Sequence, residues 1–194
     1  VFWKSRVLTE YGAFFMDTES KRPILISDSL KDISLEGMRN FFQNNSRIQF
    51  FDQFKLLTGQ PYANLSTVSD GGVGYMSTYD PRHKRLIVYK KDYTLTNSAA
   101  QQLQIYPPGY FDFPEEEEPP YYPPTSLWTD GTNFYTYFTP VPIGDPNYFE
   151  NRSFTLSYSF LTNSWVSYHS YFPYYMFFDN NTFYSDNIYT HGAG

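Results

Sequence analysis

The sequence predicts a mainly β fold built from antiparallel hairpins, and three observations support that prediction. Aromatic residues make up 22% of the 194 residues, and Tyr, Phe, Thr and Val favour pleated strands. Apolar and polar residues alternate with a period of two at 154–160, as in a strand that buries one face. Short polar turns separate such segments. One or two short helices and a long Pro-rich insertion complete the prediction.

Four segments share one pattern, in which an aromatic-rich strand, a polar turn and a second strand follow one another. They are FFMDTESKRPILI (14–26), MSTYDPRHKRLIVY (76–89), LSYSFLTNSWVSY (156–168) and YMFFDNNTFYSDN (175–187). Asp80-Pro81 and Asn163 suit the turns, because Pro presets φ and Asn tolerates a left-handed backbone. Radial repeats of this kind build β-propellers. We therefore expect part of a propeller-like body, with a β-sandwich as the alternative.

Residues 35–57 predict one or two short helices, since their apolar residues cluster without a clean 3.6-residue period. The composition then changes, and ten of the 14 prolines lie between Pro107 and Pro146. Segment 106–124 contains several prolines and four adjacent Glu residues. Because Pro lacks a backbone N–H donor and neighbouring carboxylates repel one another, this composition predicts a loop or an extended arm. Residues 127–140 predict a hairpin that turns at Asp130-Gly131.

These patterns predict one β-rich body interrupted by an insertion. The body comprises 1–93 and 153–194, and the Pro-rich acidic insertion comprises 94–152. The chain begins with Val1 and has too few recognisable hairpins for a closed propeller, so we expect a fragment of a longer chain, such as a proteolytic product. No apolar run reaches the roughly 18 residues of a membrane span.

Charge is distributed unevenly along the chain. Residues 1–91 hold 13 Lys or Arg and nine Asp or Glu, a balance of +4, whereas residues 92–194 hold one Arg and 11 acidic residues, a balance of −10. This distribution disfavours binding to a nucleic-acid duplex, which needs a concentrated basic face. Opposite charges could instead meet where copies contact head to tail in a ring. The interface candidates are Lys84, Arg85, Lys90, Lys91, Glu115, Glu116, Glu117 and Glu118.

The aromatic strand faces are expected to be core, because rings on strands are usually buried and contribute much of the packing energy. The core candidates are Trp165, Phe154, Tyr158, Phe160 and Tyr79. No residue is predicted to be catalytic and no cofactor or metal is predicted. Cys is absent, and no carboxylate stands at a metal-ligand spacing from His83, His169 or His191. A glycoside hydrolase would need two cleft carboxylates, for which the candidates are Asp80, Asp130 and Asp179.

Three segments resemble a known family. They are GVGYMSTYDPRHKRLIVYKKDY (72–93), LSYSFLTNSWVSYHSYFPYYMFFDNNTFYS (156–185) and LKDISLEGMRNFF (30–42). They are similar to the tail proteins of crAss-like bacteriophages, in particular the muzzle or tail-hub proteins at the distal end of the short tail. The motifs are structural, so the resemblance implies no active site.

The resemblance implies a structural virion protein with a propeller-like body and no enzymatic activity. Its partners would be other copies in a ring that closes the portal-tail channel, further segments of the same hub protein, and neighbouring tail or ring proteins. It would be assembled in the host cytoplasm. The alternative from the residues alone is a carbohydrate-binding β module for host-surface attachment, with PPYYPP (119–124) and Trp128 as its site.

Overall fold

The structure is a computed structural model. It describes residues 5–17, 19–50, 52–53, 73–105, 126–129, 133–136, 139–179 and 182–187. The chain divides into two compact units. The first comprises Val1–Ile48, Ser66–Lys91 and Ser153–Gly194, and the second comprises Gln49–Leu65 and Asp92–Arg152. Each unit is described below through its described residues.

The described elements are mostly short strands. In chain order the strands are β1 (Val7–Thr9), β2 (Gly12–Asp17), β3 (Arg22–Ile26), β4 (Leu30–Asp32), β5 (Gly74–Asp80), β6 (Arg85–Lys91), β7 (Tyr93–Leu95), β8 (Gln104–Ile105), β9 (Leu127–Thr129), β10 (Phe134–Thr136), β11 (Thr139–Val141), β12 (Phe149–Asn151), β13 (Phe154–Ser159), β14 (Ser164–His169), β15 (Pro173–Asp179) and β16 (Thr182–Asn187). The helices are α1 (Arg39–Asn45) and α2 (Asn97–Gln102), and a 3-10 turn spans Ile33–Leu35.

The first unit begins with a four-stranded antiparallel sheet whose strands follow chain order, β1 to β4. One face of this sheet is core, because Phe14, Met16 and Leu25 are buried. The chain can turn tightly between β2 and β3 because Lys21 adopts a left-handed backbone, with φ of 59°. Asp32 ends β4 and accepts the backbone N–H of Ser34 at 2.9 Å, which caps the 3-10 turn.

The central sheet of the first unit has the strand order β14-β13-β6-β5, so two local hairpins meet along β6 and β13. One face carries Leu86, Val88 and Leu156, which are buried. The other face packs against the β15–β16 hairpin through a cluster of Met76, Ile87, Tyr89 and Met176. Burial on both faces explains why β5, β6 and β13 are buried along almost their whole length.

Two small sheets lie in the described part of the second unit. One has the order β11-β10-β9-β8 and the other pairs β12 with β7. Phe50, Phe134 and Phe149 are buried, and Phe134 meets the other two edge to face, with Phe134 and Phe149 centroids 5.3 Å apart. The pairing of β8 with β9 is parallel, and the prediction of antiparallel hairpins did not include such a pair. A parallel pair joins strands that are distant in the chain, and no hairpin signal marks it.

The prediction of a mainly β chain with antiparallel hairpins is confirmed. All four predicted hairpins are present, as β2–β3, β5–β6, β13–β14 and β15–β16, and 127–140 contains the antiparallel pair β9–β10. For 35–57, helical backbone occurs at Arg39–Asn45 and at residues 49–50 and 52–53. Segment 106–124, with Glu115–Glu118, lies outside the described residues, as does the Asp130-Gly131 turn.

Neither helix in the described part of the chain has the length and apolar character needed to cross a bilayer.

Candidate interaction surfaces

Three of the five core candidates are buried in the central sheet region. Phe154, Tyr158 and Phe160 retain 3%, 1% and 6% of their exposed area. Phe154 packs edge to face on Phe41 of α1, with the ring centroids 5.1 Å apart. Phe160 stacks flat on Tyr11, with centroids 4.3 Å apart and planes 7° apart. These rings serve packing within the first unit and are not a surface for a ligand.

Trp165 differs from the buried core position that the sequence predicts. It is half-buried on β14, the outer strand of the central sheet as described. Its ring lies 4.8 Å from that of Phe42 and 5.3 Å from that of Tyr158, and its indole N–H donates to the carbonyl of Ile33 at 2.9 Å. The side chain therefore holds the outer strand to α1 and the 3-10 turn. A ring that is packed and hydrogen-bonded in this way is a poor sugar platform.

Tyr79 is also half-buried, because it belongs to a polar cluster where the turns of the first unit meet. Its hydroxyl donates to the Glu10 carboxylate at 2.7 Å, and the Lys84 ammonium lies 2.6 Å from the same carboxylate. Burial and the hydrogen bond to Glu10 raise the pKa of the Tyr79 phenol. Hydrogen bonds from Lys84 and Tyr79 lower the pKa of Glu10. The cluster joins the β1–β2 turn to the β5–β6 turn.

The structure corrects the prediction that four basic residues form one interface surface. Arg85 is exposed, but Lys84 is committed to Glu10 and both Lys90 and Lys91 are buried, at 1% and 4% exposure. The Lys90 ammonium donates to the carbonyl of Asn45, the last residue of α1, at 2.7 Å and lies 5.7 Å from the Phe154 ring centroid. Burial lowers the pKa of Lys91.

Lys90 is buried because the last carbonyls of a helix lack intrahelical partners and favour a positive charge. The ammonium supplies a hydrogen bond and a compensating charge at that helix end. Its apolar stem can lie along the sheet beside Phe154, as long cationic side chains commonly do. The acidic half of the predicted contact, Glu115–Glu118, lies outside the described residues. The head-to-tail contact between copies therefore stays a prediction, and the four basic residues do not form the single surface that it requires.

Asp92 is a charged residue of the second unit that sequence reasoning did not single out. It is fully buried, and its two carboxylate oxygens accept the backbone N–H groups of Gln49, Phe50 and Tyr93 at 2.9–3.0 Å. Residues 49 and 50 begin a helical stretch, where N–H groups have no partner within the helix. The carboxylate therefore caps that stretch from 42 residues further along the chain. The only sequence signal is a lone Asp after two Lys at a strand end.

Of the candidate catalytic carboxylates, Asp80 serves a turn instead. Asp80 is buried, and one of its oxygens accepts the backbone N–H of Arg82 at 2.9 Å while the other lies 2.6 Å from Nδ1 of His83. Burial and nearby Arg85 lower the pKa of His169. Asp130 and His191 lie outside the described residues. Within the described ranges, no group of three His, Cys, Asp or Glu side chains is arranged to hold a metal ion.

The predicted carbohydrate site is wrong in its described member, because Trp128 is only 2% exposed. PPYYPP (119–124) lies outside the described residues. Exposed rings occur instead on the β15–β16 hairpin, where Phe177 and Tyr184 are 52% and 45% exposed. They are direct cross-strand partners, stacked with centroids 4.8 Å apart and planes 13° apart. Asp179 is exposed two residues beyond Phe177, on the same face.

The sequence pattern of this hairpin could have located these rings. Met176 and Phe178 point to the central sheet, so the intervening Phe177 must point away from it. When both faces of a strand are apolar and only one of them packs against a neighbouring sheet, the other apolar face remains exposed.

Comparison with models of known protein families gave no match, and comparison with curated proteins gave no significant match.

Proposed function

We propose that this chain is a structural component of a bacteriophage virion, a part of the muzzle or tail hub that closes the distal end of the portal-tail channel. The proposal rests on where the segments that resemble this family lie in the fold. The two longest segments that resemble crAss-like phage tail proteins, 72–93 and 156–185, contribute β5, β6, β14, β15 and most of β13 and β16. Segments far apart in the chain are thus neighbours in one structural core.

The chemistry of these segments favours a scaffold role. Their charged and polar side chains serve turns, helix ends and the Glu10 cluster: Asp80 closes the β5–β6 turn, Lys84 binds Glu10 and Lys90 caps α1. Their rings pack on one another. Side chains used in this way hold a shape and leave few groups for catalysis, which agrees with a non-enzymatic virion protein assembled in the host cytoplasm.

The propeller-like body is part of the same proposal. The sheet of β1 to β4 is a four-stranded antiparallel meander in chain order, which is the unit of a propeller blade. The central sheet has the same number of strands but is made from two hairpins. The first sheet is therefore the element that supports a blade-like repeat.

The test is to locate the chain in purified phage particles. Quantitative mass spectrometry should detect peptides from both the body and the insertion at a constant ratio to the portal protein. An antibody against the Leu161–Asn163 turn should label the distal end of the tail in immuno-electron microscopy. Absence of the peptides from particles, or labelling confined to the capsid, would refute the proposal.

A second function is favoured by one observation, the exposed ring pair Phe177 and Tyr184 with Asp179 beside it. Apolar ring faces combined with a few polar groups are typical of small-molecule recognition, and this set fits a pyranose with its hydroxyls near the carboxylate. On a glycan array, wild-type binding that is lost in Tyr184→Ala and kept in Tyr168→Ala would support a carbohydrate-binding module. Tyr168 is a suitable control because it is 62% exposed on a different strand. No binding by the wild type would end this alternative.

A further inference from the structure

One row of residues crosses the central sheet from β5 to β14. Met76 of β5 pairs with Tyr89 of β6, and Tyr89 pairs with Thr155 of β13. Thr155 pairs in turn with His169 of β14, so each strand contributes one side chain to the same face. Met76 and Tyr89 belong to the buried cluster that packs against the β15–β16 hairpin. His169 stands at the other end of the row, where β14 ends.

The connection from β14 to β15 packs along this row. The hydroxyl of Thr155 donates to the carbonyl oxygen of Tyr171 at 2.7 Å. The Tyr171 ring contacts that of His169, with the centroids 5.2 Å apart and the planes 53° apart. Phe172 packs on Tyr89, with the ring centroids 6.3 Å apart. The contacts of the connection therefore lead from His169 to the cluster that carries the hairpin.

The His169 ring lies in a place that disfavours a charge. Its Nε2 atom is buried and has no hydrogen-bond partner among the described residues. A neutral imidazole carries one N–H, whereas a charged imidazole carries an N–H on both nitrogens. Whichever nitrogen carries the proton in the neutral ring, the charged ring therefore has a buried donor at Nε2 without an acceptor. Such a donor is costly, and more so when it is charged.

The side chains around His169 do not compensate a positive charge. Burial and the positive charge of Arg85, which lies on the same face of the sheet, lower the pKa of His169 from its ordinary value of 6.5. From β13 the neighbours on this face are the uncharged hydroxyls of Thr155 and Ser157. From the connection the neighbour is Tyr171, and burial raises the pKa of its phenol. These neighbours leave the ring neutral in the packed state.

The carboxylates of the hairpin are placed as follows. Asp179 is at the far end of β15 from the connection. Asp186 of β16 is one position from Asn187, which pairs with Pro173 at the start of β15. A carboxylate that paired with His169 would raise the pKa of the imidazole above its ordinary value. The titration of His169 itself is therefore the first measurement below.

We propose that Thr155, His169 and Tyr171 form an acid-sensitive clasp that holds the connection and the β15–β16 hairpin on the central sheet. At neutral pH the uncharged imidazole packs against the Tyr171 ring, and the Thr155 hydroxyl binds the Tyr171 backbone. Protonation of His169 moves the imidazole into water, so Tyr171 loses its packing partner and the connection separates from the row. Phe172 then leaves Tyr89, and the buried cluster beneath the hairpin becomes accessible.

The protonation of His169 and the opening of the clasp are thermodynamically linked. The pKa of His169 is lowered in the closed form and takes its ordinary value of 6.5 in the open form. The open form therefore gains population as the pH falls below 6.5, and the gain is complete below the lowered pKa. Each unit by which the pKa is lowered increases the open fraction about tenfold. The inference does not depend on the proposed virion role.

The first test is the titration of His169, followed by NMR of its ring protons on carbon in the 194-residue chain. The midpoint in the wild type should lie below 6.5. Arg85→Gln should raise that midpoint, because it removes the nearby positive charge. Arg82→Gln is the matched control, since Arg82 is exposed in the β5–β6 turn, and it should leave the midpoint unchanged. A wild-type midpoint at or above 6.5 would overturn the proposal.

The second test measures opening at the hairpin and uses the absence of native Cys. Met176→Cys places a thiol in the buried cluster, and Leu156→Cys places one on the opposite face of the central sheet. Each thiol is labelled in chains that keep His169 and in chains that carry His169→Phe. The ratio of the two rates at one pH cancels the ionisation of the thiol. His169→Gln replaces His169→Phe if circular dichroism shows that the latter is misfolded.

The ratio for Met176→Cys should rise as the pH falls below 6.5, about tenfold for each unit by which the first test finds the pKa lowered. The ratio for Leu156→Cys should stay constant. An acid response of His83 or of carboxylates occurs equally in both backgrounds and cancels. A ratio for Met176→Cys that does not change with pH would overturn the proposal. An equal rise for Leu156→Cys would do the same, because it would show unfolding of the whole sheet.

Discussion

The indole N–H of Trp165 donates a hydrogen bond of 2.9 Å to the carbonyl oxygen of Ile33, which lies 132 residues earlier in the chain. Ile33 is fully buried and belongs to the 3-10 turn after β4. A single side chain thus connects the outer strand of the central sheet to the connection that follows the first sheet.

Replacing this indole tests how much the link contributes. Trp165→Phe keeps an aromatic ring but removes the donor, and the loss should be about 0.5–1.5 kcal/mol, the net value of one hydrogen bond, because the Ile33 carbonyl still accepts the backbone N–H of Glu36 at 3.4 Å. Trp165→Ala should cost about 2–3 kcal/mol, near or below the lower end of the range for fully buried rings, since Trp165 is half-buried. Urea unfolding followed by circular dichroism measures both. Tyr168→Ala, exposed on the same strand, is the control and should change stability by less than about 0.5 kcal/mol.

Removing the Asp92 carboxylate should destabilise the second unit strongly. Asp92→Ala leaves the backbone N–H groups of Gln49, Phe50 and Tyr93 without this acceptor, and each buried donor left unpaired costs about 1–3 kcal/mol. We expect a loss of about 3 kcal/mol or more in urea unfolding. Asp28→Ala removes an exposed carboxylate and should leave the unfolding midpoint unchanged. Equal midpoints for the two variants would show that Asp92 does not cap the helical stretch.

The Glu10 cluster predicts a measurable titration. Hydrogen bonds from Lys84 and Tyr79 lower the pKa of Glu10 below the ordinary 4.5. A lowered folded pKa contributes stability that is present above pH 4.5 and is lost as the pH falls through the lowered value. Lys84→Met should therefore raise the pKa of Glu10, as followed by carboxyl-carbon NMR. Lys21→Met, in the β2–β3 turn, is the control. An unchanged Glu10 titration in Lys84→Met would contradict the contact.

Gly12 should not tolerate a side chain. Its φ is +134°, and a Cβ there would lie 2.9 Å from the carbonyl carbon of Ile26 and would also contact the carbonyl oxygen. Gly12→Ala combines backbone strain with a clash against backbone, so we expect a loss of about 3 kcal/mol or more. Gly37 separates the two effects, because its φ is +87° and a Cβ would meet nothing within 4 Å. Gly37→Ala should cost only about 1–2 kcal/mol, and similar losses for both would refute the clash.

Local sequence patterns predicted the hairpins because the residues that form each hairpin are close together in the chain. The alternation around Leu156 and the turn at Asn163, which adopts φ of 48°, depend on residues a few positions apart. Lys90 and Lys91 were assigned to the surface because Lys is rarely buried without a partner. The partner of Lys90 is a helix carbonyl 45 residues away. No local pattern contains that information.

The candidate surfaces were harder to predict than the fold for the same reason. Trp128 is buried, whereas Phe177 is exposed, although both lie in aromatic strands. Which rings are covered depends on what packs on each sheet, and that is set by pairings such as β6 with β13. Bringing the exposed Leu8 into line with the exposed Leu30 needs the register of all four strands of the first sheet. A shift of one residue in any of those strands would move its side chain to the other face.

The β6–β13 pairing also determines how freely the sequence between those strands can vary. Register sets Lys90 beside Phe154, so the chain leaves the central sheet and returns to it at neighbouring positions. Closing a loop between fixed ends costs only about 0.6 kcal/mol more for each doubling of its length. That low cost applies to the connections within the segment and not to its strands, its helix or the buried rings of Phe134 and Phe149. Among chains that share this sheet, length variation should concentrate in those connections, while the residue counts of β6 and β13 remain constant.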